Sequence, residues 1–233
     1  MRRAMLLLAG AAALCGSLLP GRAWAQAEEQ ALVDRATLTV QEMLGVGDPN
    51  ILRDAQDAAR RARAAMICPR VFRAGFLIGG QGGPCVLVAR DGAGSWSGPA
   101  FYGMGAGSIG LQIGIQDMQI LMLIMTDRGL RAIMENQFKL GADASVAVAT
   151  IGGGINGSTT SAVGADVVAY ARSRGLFLGI ALEGSIFTRD AESNRNYYGR
   201  DVVARQIVVE MQAYNPGSDP LRAALMQHSA RAN

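Results

Sequence analysis

The chain has 233 residues, half of them hydrophobic, with 18% charged residues, 30 glycines and a formal net charge of +3. That length and apolar content are ample for a buried core, and the composition is neither that of a disordered chain nor that of a collagen. The excess charge belongs to the first 25 residues: Arg2, Arg3 and Arg22 are three of 22 basic residues, and the 19 that remain balance 19 acidic residues, all of which follow Ala25. The rest of the chain is neutral, so a general nucleic-acid-binding role loses its electrostatic footing.

Arg2 and Arg3 precede an apolar run over residues 5–19, and Ala23-Trp24-Ala25 follows as a small-x-small pattern. This is the pattern of a secretory signal, expected to be cleaved after Ala25 and to leave residues 26–233 as one domain. The run is short beside the ~20 residues of a membrane span. Export to the periplasm or beyond, with peripheral membrane attachment as one form of it, is the expected localisation. Of three cysteines Cys15 leaves with the signal, so Cys68 and Cys85 remain. They read either as a disulfide, which an oxidising compartment permits, or as two buried thiols.

Residues 26–66 read as helical. Leu32, Val33, Ala36, Val40, Met43 and Leu44 share one face of a first helix, which Gly45 and Gly47 stop. Asp48-Pro49 opens a second helix as cap and first residue. Its apolar stripe is Ile51, Ala55, Ala58, Ala62 and Met66, with Arg53, Arg60 and Arg63 opposite. After Pro69 short apolar runs alternate with glycine-rich turns, which predicts strands over 71–78, 85–90, 108–116, 119–126, 145–150, 167–173 and 176–184. A hairpin is expected around Asp117, and a short helix capped by Thr126 or Asp127 up to Met134. Helical patterns return at 201–211 and 220–228. The fold class is α+β: N-terminal helices packed on a glycine-rich, largely antiparallel sheet or barrel-like core, with a C-terminal helix.

Signs of catalysis are sparse. Gly105-Ala106-Gly107-Ser108-Ile109-Gly110 fits G-x-G-x-x-G, but strand alternation follows it where a dinucleotide fingerprint needs a helix. The glycine cluster 151–157 lacks the Lys and hydroxyl of a phosphate loop, and Asn156-Gly157-Ser158 is a glycosylation sequon. His228 is the only histidine, which removes the ordinary Ser-His-Asp and Cys-His schemes unless the tail folds back. No H-E-x-x-H or C-x-x-C is present, so neither a metal site nor a cofactor is expected. Glu183 stands on a small-residue face, with Arg172 and Arg174 as partners if a hairpin turns at Gly175.

Val71-Phe72-Arg73-Ala74-Gly75-Phe76-Leu77, Trp96-Ser97-Gly98-Pro99, the block from Ser173 through Arg174, Gly175, Phe177, Glu183 and Gly184 to Ser185, and Ser193-Asn194-Arg195-Asn196-Tyr197-Tyr198 together resemble the SYLF domain family. The resemblance covers about residues 28–212. It implies a non-enzymatic, lipid-binding module, with Arg174, Gly175, Phe177, Glu183 and Gly184 as family motif residues in a structural or ligand role. Eukaryotic members bind phosphoinositide membranes through a basic N-terminal helix, and yeast members also bind actin. Here the matching segment carries Glu28, Glu29, Asp34 and Glu42 against Arg35, the opposite sign. Phospholipid or a membrane surface is the expected partner, with an envelope protein as the alternative. Actin enters only through the family, because an exported protein meets it only in a host cell. The basic residues expected to face lipid are Arg53, Arg60, Arg63, Arg70 and Arg73, since arginine suits bidentate phosphate contacts.

Overall fold

The structure is a computed structural model that describes residues 20–76, 78–109, 114–150, 164–174 and 182–230. Helix α1 (Pro20–Gly45) leads into α2 (Pro49–Arg61), whose start is set by Asp48. The Asp48 carboxylate accepts from the Asn50 and Ile51 amides, and Pro49 occupies the first turn, where its missing N–H is no loss. The chain then turns at Ala62 and enters β1 (Ala64–Phe76) at once. Met66, which continues the helical spacing in the sequence, is therefore a strand residue, and α2 is shorter than its apolar stripe.

The remaining strands are β2 (Ile78–Ala89), β3 (Ala100–Ile109), β4 (Gly114–Ile124), β5 (Gln137–Lys139), β6 (Val146–Thr150), β7 (Val167–Arg174) and β8 (Ile186–Arg189). Helices α3 (Asp127–Ile133), α4 (Ala191–Tyr198), α5 (Ala204–Val208) and α6 (Asp219–Ser229) complete the order. The strands form one mixed half-barrel sheet in the order β5-β8-β3-β2-β1-β4-β7-β6, and among the described strands only the β6–β7 pairing is parallel. The fold is α+β, with helices at both ends of the chain packed on the sheet.

Both sheet faces are buried. Ala65, Ile67, Val86, Val88, Leu121 and Leu123 face α1, α2 and α6, whereas Met66, Cys68, Leu87, Met118, Ile120 and Met122 fill the concave side. Each fully buried side chain of this size contributes roughly 1.5–3 kcal/mol, so these central strands anchor the molecule. Burial on both faces also explains why β1 and β4 read as continuous apolar runs instead of alternating ones.

Strand β1 carries a one-residue bulge. Its register shifts between Ile67 and Phe72 against β2, and between Cys68 and Val71 against β4. Pro69 sits there, at a place in a central strand that can spare its missing amide. Gly83 faces the bulge: a Cβ on it would overlap the Arg70 carbonyl oxygen, so glycine is required by close backbone approach. A disulfide joins Cys68 to Cys85 beside the bulge, with Cα atoms 4.2 Å apart and both residues fully buried.

Two expectations are corrected and one element is added. Residues 108–116 are not one strand, because β3 ends at Ile109 and β4 begins at Gly114, on opposite sides of the β2–β1 pair. Asp117 is no hairpin turn but lies within β4, opposite Phe72 on one side and Arg174 on the other. Helix α4, absent from the predicted elements, is capped by Asp190, which accepts from the Ser193 amide, and ends at Gly199 in the left-handed region. The expected strand over 176–184 and the cluster 151–157, with Asn156, fall largely or wholly outside the described residues.

Candidate functional site

The five predicted arginines do not form one surface. Arg53 stays on the first turn of α2, donating to the Pro49 carbonyl and the Asn50 side chain. Arg70 lies at the bulge and pairs with Asp117 at 3.1 Å. Arg73 is 6% exposed and points to the concave side, beside Gln81 and Gln116 in register. The reason is strand geometry: alternate residues of β1 project to opposite faces, so a basic run in sequence is divided in space.

Arg60 and Arg63 do come together, and two arginines outside the predicted five join them. Arg60, Arg61, Arg63 and Arg90 edge a cleft of about 730 Å³ where α2 ends, β1 begins and β2 ends. Backbone pairing fixes the place: the Arg63 amide donates to the Ile124 carbonyl and the Arg90 amide to the Arg63 carbonyl, each at 2.8 Å. Met125 and Met226 add apolar surface to the cleft, and the turn at Asp91, Gly92, Ala93 and Gly94 completes its lining. Nothing in the sequence spacing links Arg90 to Arg63. The β1–β2 register alone brings them together.

The four arginines have different tasks. The Arg90 guanidinium donates to the carbonyls of Arg60, Gly94 and Ser229 and lies 5.7 Å from the Trp96 ring, so it clamps α2 and α6 to the sheet. Arg60 pairs with Asp57 and Arg63 with Asp127, both across exposed surface. Exposed pairs of this kind are worth at most about 1 kcal/mol, and a phosphate could displace either carboxylate. Arg61 is exposed and has no carboxylate at ion-pair distance among the described residues. The rim therefore offers guanidinium groups beside apolar methionine surface, an arrangement suited to an anionic headgroup with hydrocarbon next to it.

The family motif residues build joints. Trp96 is buried and donates to the Ser229 hydroxyl at 3.0 Å, Tyr198 donates to the Pro99 carbonyl at 2.8 Å, and the Phe101 amide donates to Asn194 at 3.1 Å. A Cβ at Gly98 would come within 2.6 Å of the Tyr198 hydroxyl oxygen. Thus Trp96–Pro99 and Asn194–Tyr198, far apart in sequence, are one packing unit. Arg174 is in β7 opposite Asp117, while Gly175 and Phe177 lie outside the described residues. Glu183 is exposed in a turn that Gly184 makes at φ +82°, against Gly141. It is not returned to Arg172, which instead donates to the Val46 carbonyl and faces Glu42 at 4.0 Å.

Among the described residues the most heavily bonded carboxylate is Asp166, which the sequence did not mark. It is buried and accepts from Thr126 Oγ1 at 2.6 Å, Ser145 Oγ at 2.8 Å, the Ser145 amide at 3.1 Å and both ends of the Arg128 fork. The Arg128 guanidinium and these donors hold its carboxyl well below the usual range, against the opposing effect of burial. A carboxylate so fully engaged ties α3 to the start of β7 and has no lone pair left for chemistry. Among the described residues no group of three or more His, Cys, Asp or Glu is placed to hold a metal ion, and no helix is long and apolar enough to cross a membrane.

A family model described as "Ysc84: Las17-binding protein actin regulator" matches residues 105–228. The chain belongs to the Ysc84/SYLF family. It is 35% identical over 139 residues to the human "SH3 domain-containing YSC84-like protein 1", covering 59% of this chain and 41% of the relative. Against the Xenopus laevis protein of the same name the figures are 33% over 147 residues, 63% and 44%. The Saccharomyces cerevisiae "LAS seventeen-binding protein 3" is 32% identical over 168 residues, 71% of this chain and 36% of the relative. The chain thus spans less than half the length of these curated relatives. No solved structure matches. The match at 105–228 takes in Met125 and Met226 of the cleft but not Arg60, Arg61, Arg63 or Arg90, so the basic rim lies outside the part that the family model describes.

Proposed function

We propose that this Ysc84/SYLF domain is an exported, non-enzymatic module that binds anionic phospholipid surfaces through its arginine cleft. The observation that carries the proposal is the rim of Arg60 and Arg63, held only by weak exposed ion pairs, and of exposed Arg61, beside Met125 and Met226. The exposed acidic residues of α1 support a displaced site: a surface that repels Glu28 and Asp34 would meet the opposite charge at the end of α2. Export is supported by Arg2, Arg3, the apolar run 5–19 and Ala23-Trp24-Ala25, and a disulfide suits an oxidising compartment. Cleavage after Ala25 would keep the buried residues of α1 from Glu29 onward.

Flotation of the purified protein with phosphatidylglycerol vesicles and with phosphatidylcholine vesicles tests the proposal. Co-flotation with the anionic vesicles that fades with salt is expected. Absence of binding to either bilayer at low salt contradicts it.

A second reading, a protein-interaction module of the envelope without lipid specificity, is favoured by one feature. Phe72 and Ile115 are 44% and 70% exposed on the helix-covered side of the sheet, beyond the helices. That reading predicts a specific cross-linked partner whose recovery is indifferent to added lipid. Actin, named in the family's description, is left out of the proposal for an exported chain.

A further inference from the structure

Beyond the helices the convex face of the sheet is bare at one end. There six neighbouring strands set six residues in one row: Asp117 on β4, Phe72 on β1, Gly82 on β2, Gly105 on β3, Ile186 on β8 and Lys139 on β5. Strand alternation turns the row away from the concave core, which Val71, Met104, Met118, Phe138 and Phe187 fill from the adjoining positions. Phe72, Ile186 and Ile115, which lies two residues before Asp117, are exposed large apolar side chains. Lys139 is exposed and makes no ion pair among the described residues, while the half-exposed Asp117 pairs only with exposed Arg70. Gly105 is exposed, and a Cβ on it would meet nothing within 4 Å. No contact inside the chain requires it to be bare, although glycine weakens a strand.

We propose that this face docks a second copy of the chain. The row reads acid, apolar, glycine, glycine, apolar, base. A two-fold axis along the strands, midway between β2 and β3, sets Asp117 of each copy opposite Lys139 of the other, and Phe72 opposite Ile186. This charge complementarity of the face with itself identifies the occupant, since a surface of one sign would attract one end of the row and repel the other. The glycines suit a curved surface. Two convex sheets touch first at their centres, and bare backbone there lets the longer side chains on either side meet. The patch is smaller than the ~800 Å² per partner of a standard interface, so the dimer is weak. It lies roughly 30 Å along β1 from Arg63, which leaves both arginine clefts open. The inference does not rest on lipid binding.

Sedimentation velocity of the purified protein without lipid, from about 1 to about 500 µM, is the test. A monomer–dimer equilibrium with Kd of about 10–100 µM is expected, and salt weakens it. Gly105→Val places its side chain in open space. It leaves Tm unchanged or higher and weakens dimerisation at least about tenfold, because it props the centres apart. Lys139→Asp and Asp117→Lys each make both charged contacts repulsive, so each alone sediments as a monomer. Mixed together they recover the dimer, since acid again meets base at both contacts, a recovery that a purely structural role of either residue cannot give. Circular dichroism checks the folds, and Gly105→Val keeps the proposal falsifiable if a charge variant folds poorly. A monomer throughout the range, a dimer indifferent to Gly105→Val, or no recovery by two folded charge variants on mixing overturns the proposal. So does a monomer whose adsorption to phosphatidylcholine vesicles is lost in Ile115→Ser, which would assign the face to lipid.

Discussion

Reducing the Cys68–Cys85 disulfide has a cost that the structure lets one work out. The cysteines are 17 residues apart, so in the chain-entropy account the crosslink removes about 3 kcal/mol of freedom from the unfolded ensemble. Native-state compensation is small. Both positions are fully buried in the concave core, and two thiols there pack as small hydrophobes. Urea unfolding of the protein, with and without a phosphine reductant present throughout, reads the difference. With a slope of about 2–3 kcal/mol per molar urea, the midpoint should fall by about 1–1.5 M on reduction. The slope should stay equal or rise as the unfolded chain expands. A shift under about 0.3 M would refute the reasoning, since the β1–β2 pair would then be held without help from the crosslink.

Other predictions follow from single contacts. Asp166→Asn puts an amide NH2 against the Ser145 amide and Arg128, and should lower stability by about 3 kcal/mol in urea unfolding. The sign with pH is fixed: because the folded carboxyl titrates below its unfolded value, its stabilisation is complete above pH ~4 and is lost as pH falls through the folded value. The Tm advantage of wild type over Asp166→Asn should therefore shrink on acidification. Gly83→Ala forces a Cβ onto the Arg70 carbonyl and should cost about 1–3 kcal/mol, seen as a lower Tm. Arg90→Ala frees the carbonyls of Arg60 and Ser229, and hydrogen exchange should accelerate at the last turns of α2 and α6 before anywhere in β1.

The sequence made the architecture legible where local chemistry speaks. Asp48-Pro49 marks the start of α2, and Thr126, whose side chain accepts from the Gly129 amide, marks α3. Local chemistry misled at Met66, because Ala62 and Met66 keep helical spacing while a strand buried on both faces loses its own alternation. It was silent on α4, whose polar face has a weak apolar signal. The site shows the same division. Arg60 and Arg63 are neighbours in sequence and in space, but Arg90 joins them only through strand register, and Arg70 and Arg73 leave them because a strand sends successive side chains apart. Asp166 could not be seen beforehand, since its donors Thr126, Arg128 and Ser145 come from two separate parts of the chain.

The account's central claim is that the rim at the end of α2 meets anionic lipid. The direct measurement compares wild type with Arg60→Glu/Arg63→Glu by flotation on phosphatidylglycerol vesicles, after circular dichroism has matched their folds. Each arginine near such a surface is worth about 1 kcal/mol, so losing two lowers partitioning about 30-fold and charge reversal lowers it further. Equal flotation of the two proteins would contradict the account.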